Sequence, residues 1–184
     1  MDYFLGIPLP PSYAARIEAF RREITDWAFR PQRSEPHISV KGGAGLDDGP
    51  ETAATVEEIA ACTVPFSIQL GEPAIFEGEP VLYLSVVSPG WSALHRVLVD
   101  TIAARTGATM HPLEIGGWIP HLTVIRVKPE LLPRQREILS LTRAALSPFP
   151  EFTADTLRMY RQERNEGPWE PFRDFALSGR PRET

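Results

Sequence analysis

One cysteine, Cys62, in 184 residues leaves the chain no internal disulfide and no cysteine cluster to offer a metal. Set among Ile59, Ala60, Ala61 and Val64, it is expected to pack along a helix. No apolar run approaches the roughly 20 residues of a membrane span. Met1-Asp2-Tyr3 lacks the basic start and apolar stretch of a signal peptide, so a cytoplasmic protein with no membrane partner is expected. Positive charge is also short: 19 Lys and Arg stand against 24 Asp and Glu, for a net charge of −5. That balance argues against coating duplex or other long nucleic acid, which draws on broad basic surfaces. A small anion needs only a local cluster of donors and stays allowed. The chain is also without a Gly-Lys-[Ser/Thr] sequence, so the glycine-rich Lys41-Gly42-Gly43-Ala44-Gly45 is no Walker loop, though its backbone can approach a ligand closely.

With 42% hydrophobic and 23% charged residues, the composition is that of a globular protein. Tyr3 to Leu9 reads as a short strand ended by Pro10-Pro11, and a helix follows with Ser12 as N-cap and Ile17, Phe20, Ile24 and Trp27 as its apolar stripe, up to Pro31. The pattern returns at Val81 to Val87, a strand leading through the cap Ser88-Pro89 into a helix with Leu94, Val97, Leu98 and Ile102 inward and Gly107 as its stop. Thr52 to Cys62 predicts a further helix, and Pro65 to Phe76 a strand beside Val81 to Val87. Pro129 to Leu146 predicts a helix with Ile138, Leu141 and Ala145 inward, stopped by Ser147-Pro148. Phe152 to Arg161 and Pro171 to Leu177 predict two strands around the polar loop Glu163 to Gly167, before a frayed tail.

Each half leads into the same local sequence. Pro-His-Ile-Ser-Val carries His37, 34 residues after Tyr3; Pro-His-Leu-Thr-Val carries His121, 38 residues after Tyr83. The order strand, helix, histidine strand is therefore duplicated. No low-complexity linker separates the copies, which predicts one unit over residues 1–184 made of two interleaved lobes, with a site between them.

In a strand, alternation puts His37 and Ser39 on one face and Ile38 and Val40 on the other; His121 and Thr123 repeat the arrangement. Phosphodiester cleavage needs one group to take a proton from the attacking hydroxyl and another to protonate the departing alkoxide. Imidazole does either near neutral pH. Two histidines flanking one phosphorus do both without a metal, while the hydroxyls of Ser39 and Thr123 donate to the non-bridging oxygens. A single histidine beside a hydroxyl residue is more often a packed residue than a catalyst. Recurrence at the matching place of a repeated half is what points to chemistry.

His37-Ile38-Ser39 and His121-Leu122-Thr123 resemble the two H-x-[Ser/Thr] motifs of the 2H phosphoesterase superfamily, whose members include the 2′-5′ RNA ligases and RNA 2′,3′-cyclic phosphodiesterases. The opening strand with its Pro-Leu-Pro end, the helix after it, the histidine spacing and the closing strands extend the resemblance over nearly the whole chain. Ser39 stands where threonine is common, with the hydroxyl kept. The resemblance implies an α+β, bilobal, pseudo-two-fold duplicated fold, with two antiparallel sheets around a central cleft and helices outside. It also implies cofactor-free, metal-free opening of 2′,3′-cyclic or 2′-5′ phosphodiesters, reversible as ATP-independent ligation, on RNA ends or small nucleotide cyclic phosphates. A non-catalytic nucleotide-binding module and a metal-dependent hydrolase are the rival readings, although neither motif supplies a third metal ligand.

Around the four catalytic candidates, alternation places Lys41 on the histidine face, toward the phosphate, or else at a solvated strand end, and places Arg126 outside the cleft. Trp118 can stack on a base or pack its loop. Of Tyr160 and Arg161, on a strand that similar proteins set along the cleft, only one faces inward, and Arg161 is the candidate phosphate clamp. His95 and His111 read as structural or exposed.

Overall fold

The computed structural model of the chain describes residues 1–29, 34–163 and 166–180. Eight strands, β1 (Asp2–Pro8), β2 (His37–Lys41), β3 (Phe66–Ile75), β4 (Val81–Val87), β5 (His121–Arg126), β6 (Glu151–Ala154), β7 (Thr156–Glu163) and β8 (Glu166–Ala176), form one antiparallel sheet. Their order is β6-β3-β4-β5-β2-β1-β7-β8. The two expected sheets are its four-stranded halves, joined where Ile38 on β2 faces Leu122 on β5. Both residues are fully buried, so the seam is held by the apolar positions of the two repeated motifs.

Helices α1 (Pro11–Glu23), α2 (Pro50–Cys62), α3 (Pro89–Thr106), α4 (Pro112–Gly116) and α5 (Gln135–Leu146) complete the α+β fold. The predicted strand-helix pairs recur as β1-α1 and β4-α3. Ser88 caps α3 by accepting from the Trp91 backbone N–H at 3.2 Å, and Gly107 ends it at φ 66°, a left-handed conformation that glycine adopts without a Cβ penalty. Tyr13, Ile17 and Phe20 of α1, Leu94, Leu98 and Ile102 of α3 and Ile138 and Leu146 of α5 join Ile38, Val40, Leu122 and Val124 in one apolar core. Behind the histidine strands, then, lies a packed helical layer, and the opposite face carries the histidines. Among the described residues no helix is long and apolar enough to cross a membrane.

Several expectations are corrected. Pro10, not Ser12, stands at the N-cap of α1, with no side-chain cap. Helix α1 ends at Glu23, ahead of Pro31, which lies outside the described residues, as does part of the loop Glu163 to Gly167. Val97, Leu141 and Cys62 are exposed, because Val99, Thr142 and Ala60 take the neighbouring inward positions. The stretch Phe152 to Arg161 is two strands: β6 pairs with β3 at one edge, and after Asp155 β7 crosses to pair with β1 in the other half. Alternating apolar residues cannot show that exchange of partners, since both strands present the same pattern.

Candidate active site

Antiparallel pairing of Ile38 with Leu122 sets His37 opposite Thr123 and Ser39 opposite His121, so four polar side chains share the face away from the core. Each imidazole is oriented by its own lead-in segment. His37 Nδ1–H donates to the Glu35 carbonyl at 2.8 Å, and His121 Nδ1–H donates to the Ile119 carbonyl at 2.7 Å. A carbonyl only accepts, which puts the proton of each neutral ring on Nδ1 and the lone pair on Nε2. Neither Nε2 has a hydrogen-bond partner among the described residues. The contact to the residue two positions back repeats in both halves because the preceding proline holds that stretch extended.

Aromatic rings flank each histidine. Phe4 lies 4.7 Å from the His37 ring, and Tyr160 lies 5.1 Å from it, stacked on Phe4 at 4.5 Å. Phe76 meets His121 edge-on at 4.9 Å and stacks on Tyr83 at 4.1 Å. A Cβ on Gly6 would sit 3.3 Å from the Tyr160 ring and 3.4 Å from His37, so glycine there gives the two rings room. Burial in this setting pushes the His37 imidazole down to about 4, with cationic Arg21 and His121 adding to the effect and the Glu35 carbonyl and carboxylate opposing it. Burial lowers His121 as well, assisted by Arg126 and opposed by the Ile119 carbonyl and by Glu79.

Two charged residues occupy places that alternation assigns wrongly, for one shared reason. Leu5 pairs with Lys41 and Gly6 with Ser39, leaving Val40 as an extra residue on β2; Leu82 pairs with Ile125 and Tyr83 with Thr123, leaving Val124 extra on β5. A bulge after each motif reverses the parity of the residues beyond it. Lys41 is therefore turned into the interior, fully buried, where its ammonium bonds the carbonyls of Gly42 and Ala44 and pairs with Glu114 at 3.0 Å; it does not line the cleft. Arg126 is turned onto the histidine face, lining the recess that holds His121 and Thr123, with Glu79 3.8 Å away.

Arg161 is corrected too. It pairs across from buried Tyr3 and its guanidinium lies 4.9 Å over Phe172, while Tyr160 takes the inward place and donates to the Glu35 carboxylate at 2.8 Å. Arg158, one pleat along, bridges the same carboxylate at 2.8 Å and Asp174 at 2.6 Å. Trp118 is at the site, walling the recess beside His121, and its far edge packs toward His95 and Gly42.

Residues that sequence reasoning missed act behind the histidines. Arg21, on α1, donates to the carbonyls of Val124 at 2.9 Å, Thr123 at 2.8 Å and Ser34 at 3.0 Å, tying the second histidine strand to the approach of the first. Its burial lowers it to about 10, still cationic at neutral pH. Glu114, on the unanticipated helix α4, accepts from the Gly42 backbone N–H at 2.8 Å as well as from Lys41. His111 caps α4, and the buried His95 ring spans the carbonyls of Val40 and Glu114. No short-range signal marks these partners, since each contact joins segments far apart in the chain. Among the described residues no group of three or more His, Cys, Asp or Glu side chains is placed to hold a metal ion.

The sequence model of the 2′-5′ RNA ligase superfamily matches residues 9–166. No curated protein sequence matches the chain. Among solved structures, TT0787 of Thermus thermophilus is similar with a TM-score of 0.65 and 16% identity, over 96% of this chain and 98% of that one. LigT of E. coli in apo form gives 0.63 and 18%, over 96% and 97%, and LigT complexed with 3′-AMP gives 0.60 and 18%, over 96% of each chain. At such identities the likeness is one of fold.

Proposed function

The chain belongs to the 2′-5′ RNA ligase superfamily, and on that premise we propose that it is a metal-independent phosphodiesterase opening 2′,3′-cyclic phosphates or related 2′-5′ phosphodiesters with His37 and His121 as acid-base pair. The observation carrying this reading is the seam: two histidines, each with Nδ1 committed to a carbonyl and Nε2 without a partner among the described residues, stand on one face beside two hydroxyls.

In the proposed reaction, Nε2 of one histidine takes a proton from water as its oxygen attacks phosphorus. The bond from phosphorus to one ribose oxygen breaks, and the other histidine delivers its proton to that oxygen. Ser39 and Thr123 donate to the non-bridging oxygens, and Arg126 neutralises the charge gathered there. With a ribose hydroxyl in place of water as the attacking group, the same two proton transfers join a cyclic phosphate to that hydroxyl without ATP, and the reverse of that step cleaves the phosphodiester. Nucleotide-sized RNA ends fit the acidic surface, since the cationic contribution is local, and the 3′-AMP bound by structurally similar LigT is of that chemical class.

The test is hydrolysis of nucleoside 2′,3′-cyclic phosphates in excess chelator by the wild type, His37→Ala and His121→Ala. Turnover that survives the chelator and is lost in both variants supports the reading. Tight nucleotide binding with no turnover of any cyclic or 2′-5′ substrate overturns it in favour of a binding module, and turnover abolished by chelator favours a metal hydrolase.

A further inference from the structure

Beside His121 and Thr123 the cleft opens into a recess of about 350 Å³, within the size range of small-ligand sites. Phe76 and Trp118 offer ring surface, and Ile119 is an exposed aliphatic side chain at its mouth. At the rim, on the turn between β3 and β4, stands Glu77, an exposed carboxylate with no ion-pair or hydrogen-bond partner among the described residues. The neighbouring Glu79 is engaged with Arg126. Beside His37, by contrast, Phe4 is covered by Tyr160 and Trp169.

A phosphate held between the histidines has its attached nucleoside within reach of this recess, because His121 and Thr123 are part of its wall. Flat apolar walls suit a base, which stacks on aromatic side chains and leaves its Watson–Crick edge to be read at the rim. A carboxylate only accepts hydrogen bonds. Guanine turns two adjacent donors, N1–H and the N2 amino group, toward such a partner. Adenine and cytosine offer one amino group beside a ring acceptor, and uracil sets its single N–H between two carbonyls that repel the carboxylate. We propose that the recess holds the nucleobase of the substrate and that Glu77 selects guanine there. The inference rests on the cleft being a cyclic phosphodiester site.

The experiment measures kcat/KM for guanosine, adenosine, cytidine and uridine 2′,3′-cyclic phosphates. Guanosine is expected to exceed uridine by about tenfold or more, the discrimination of one bidentate base contact. Glu77→Gln contracts that ratio to about threefold or less, because one acceptor of the pair becomes a donor. Phe76→Ala raises KM for all four by about tenfold through lost stacking, with a smaller change in kcat. Equal values across the four substrates, or a preference unchanged in Glu77→Gln, overturn the inference while leaving the proposed reaction standing. Failure to open any of the four overturns the inference, and failure to cleave 2′-5′ phosphodiesters as well overturns both.

Discussion

Ile38 and Leu122 face each other across the seam between β2 and β5, and through that one pairing the sheet sets each histidine diagonally across from the other, beside the other half's hydroxyl. The two motifs are thus parts of one surface about a local two-fold, and their chemistry is expected to be shared between halves.

His37→Ala and His121→Ala are each expected to lower turnover by about a thousandfold or more, with the double variant little worse, since groups acting in one step are not additive. Ser39→Ala and Thr123→Ala cost less. Steady-state kinetics on a cyclic nucleotide measures this, and multiplicative losses in the double variant would count against a shared step.

The two bulges predict opposite phenotypes for two cations. Arg126→Met is expected to lower kcat/KM by about a hundredfold with the melting temperature nearly unchanged, because its side chain is half exposed and faces the site. Lys41→Met strands the buried Glu114 carboxylate and is expected to cost about 3–5 kcal/mol of stability. Thermal melts and kinetics on both variants check this; loss of activity from a stable Lys41→Met would restore a role for Lys41 in the cleft.

Both imidazoles titrate below their ordinary range, and catalysis needs one of them protonated. Log kcat/KM is therefore expected to fall already with a slope near −1 by pH 6.5, the ordinary histidine value from which both rings are lowered, as the acid's proton is lost. Arg126→Met moves this limb upward, since Arg126 depresses His121. A rate flat to pH 9 would exclude a histidine acid with a lowered pKa.

Stability follows the same shift. The folded protein holds His37 neutral down to about 4, while the unfolded chain binds a proton from about 6.5, so this contribution is complete above pH 6.5 and is lost as pH falls toward 4. Urea midpoints measured from pH 7.5 to 4 are expected to decline less steeply in His37→Gln than in the wild type.

Arg21→Met removes three bonds to the carbonyls of Ser34, Thr123 and Val124, and is expected to destabilise the fold by about 2–3 kcal/mol. It also removes a cation that depresses His37, so the His37 titration followed by NMR should move upward. An unmoved titration would place Arg21 outside the electrostatics of the site.

The local sequence by itself determined the histidine face, because a two-residue period and the proline before each histidine act within five residues, and it determined the duplication, because strand and helix patterns recur at matched spacing. Which residue beyond the motif enters the site was decided only in the folded sheet. A bulge exists between two strands, so the inward turn of Lys41 and the outward turn of Arg126 are legible in the register of β2 with β1 and of β5 with β4, and in neither strand alone. The partners Glu114 and Arg21, and the choice of Tyr160 over Arg161, were settled likewise by contacts between elements far apart in the chain, where burial and hydrogen-bond satisfaction outweigh any local preference.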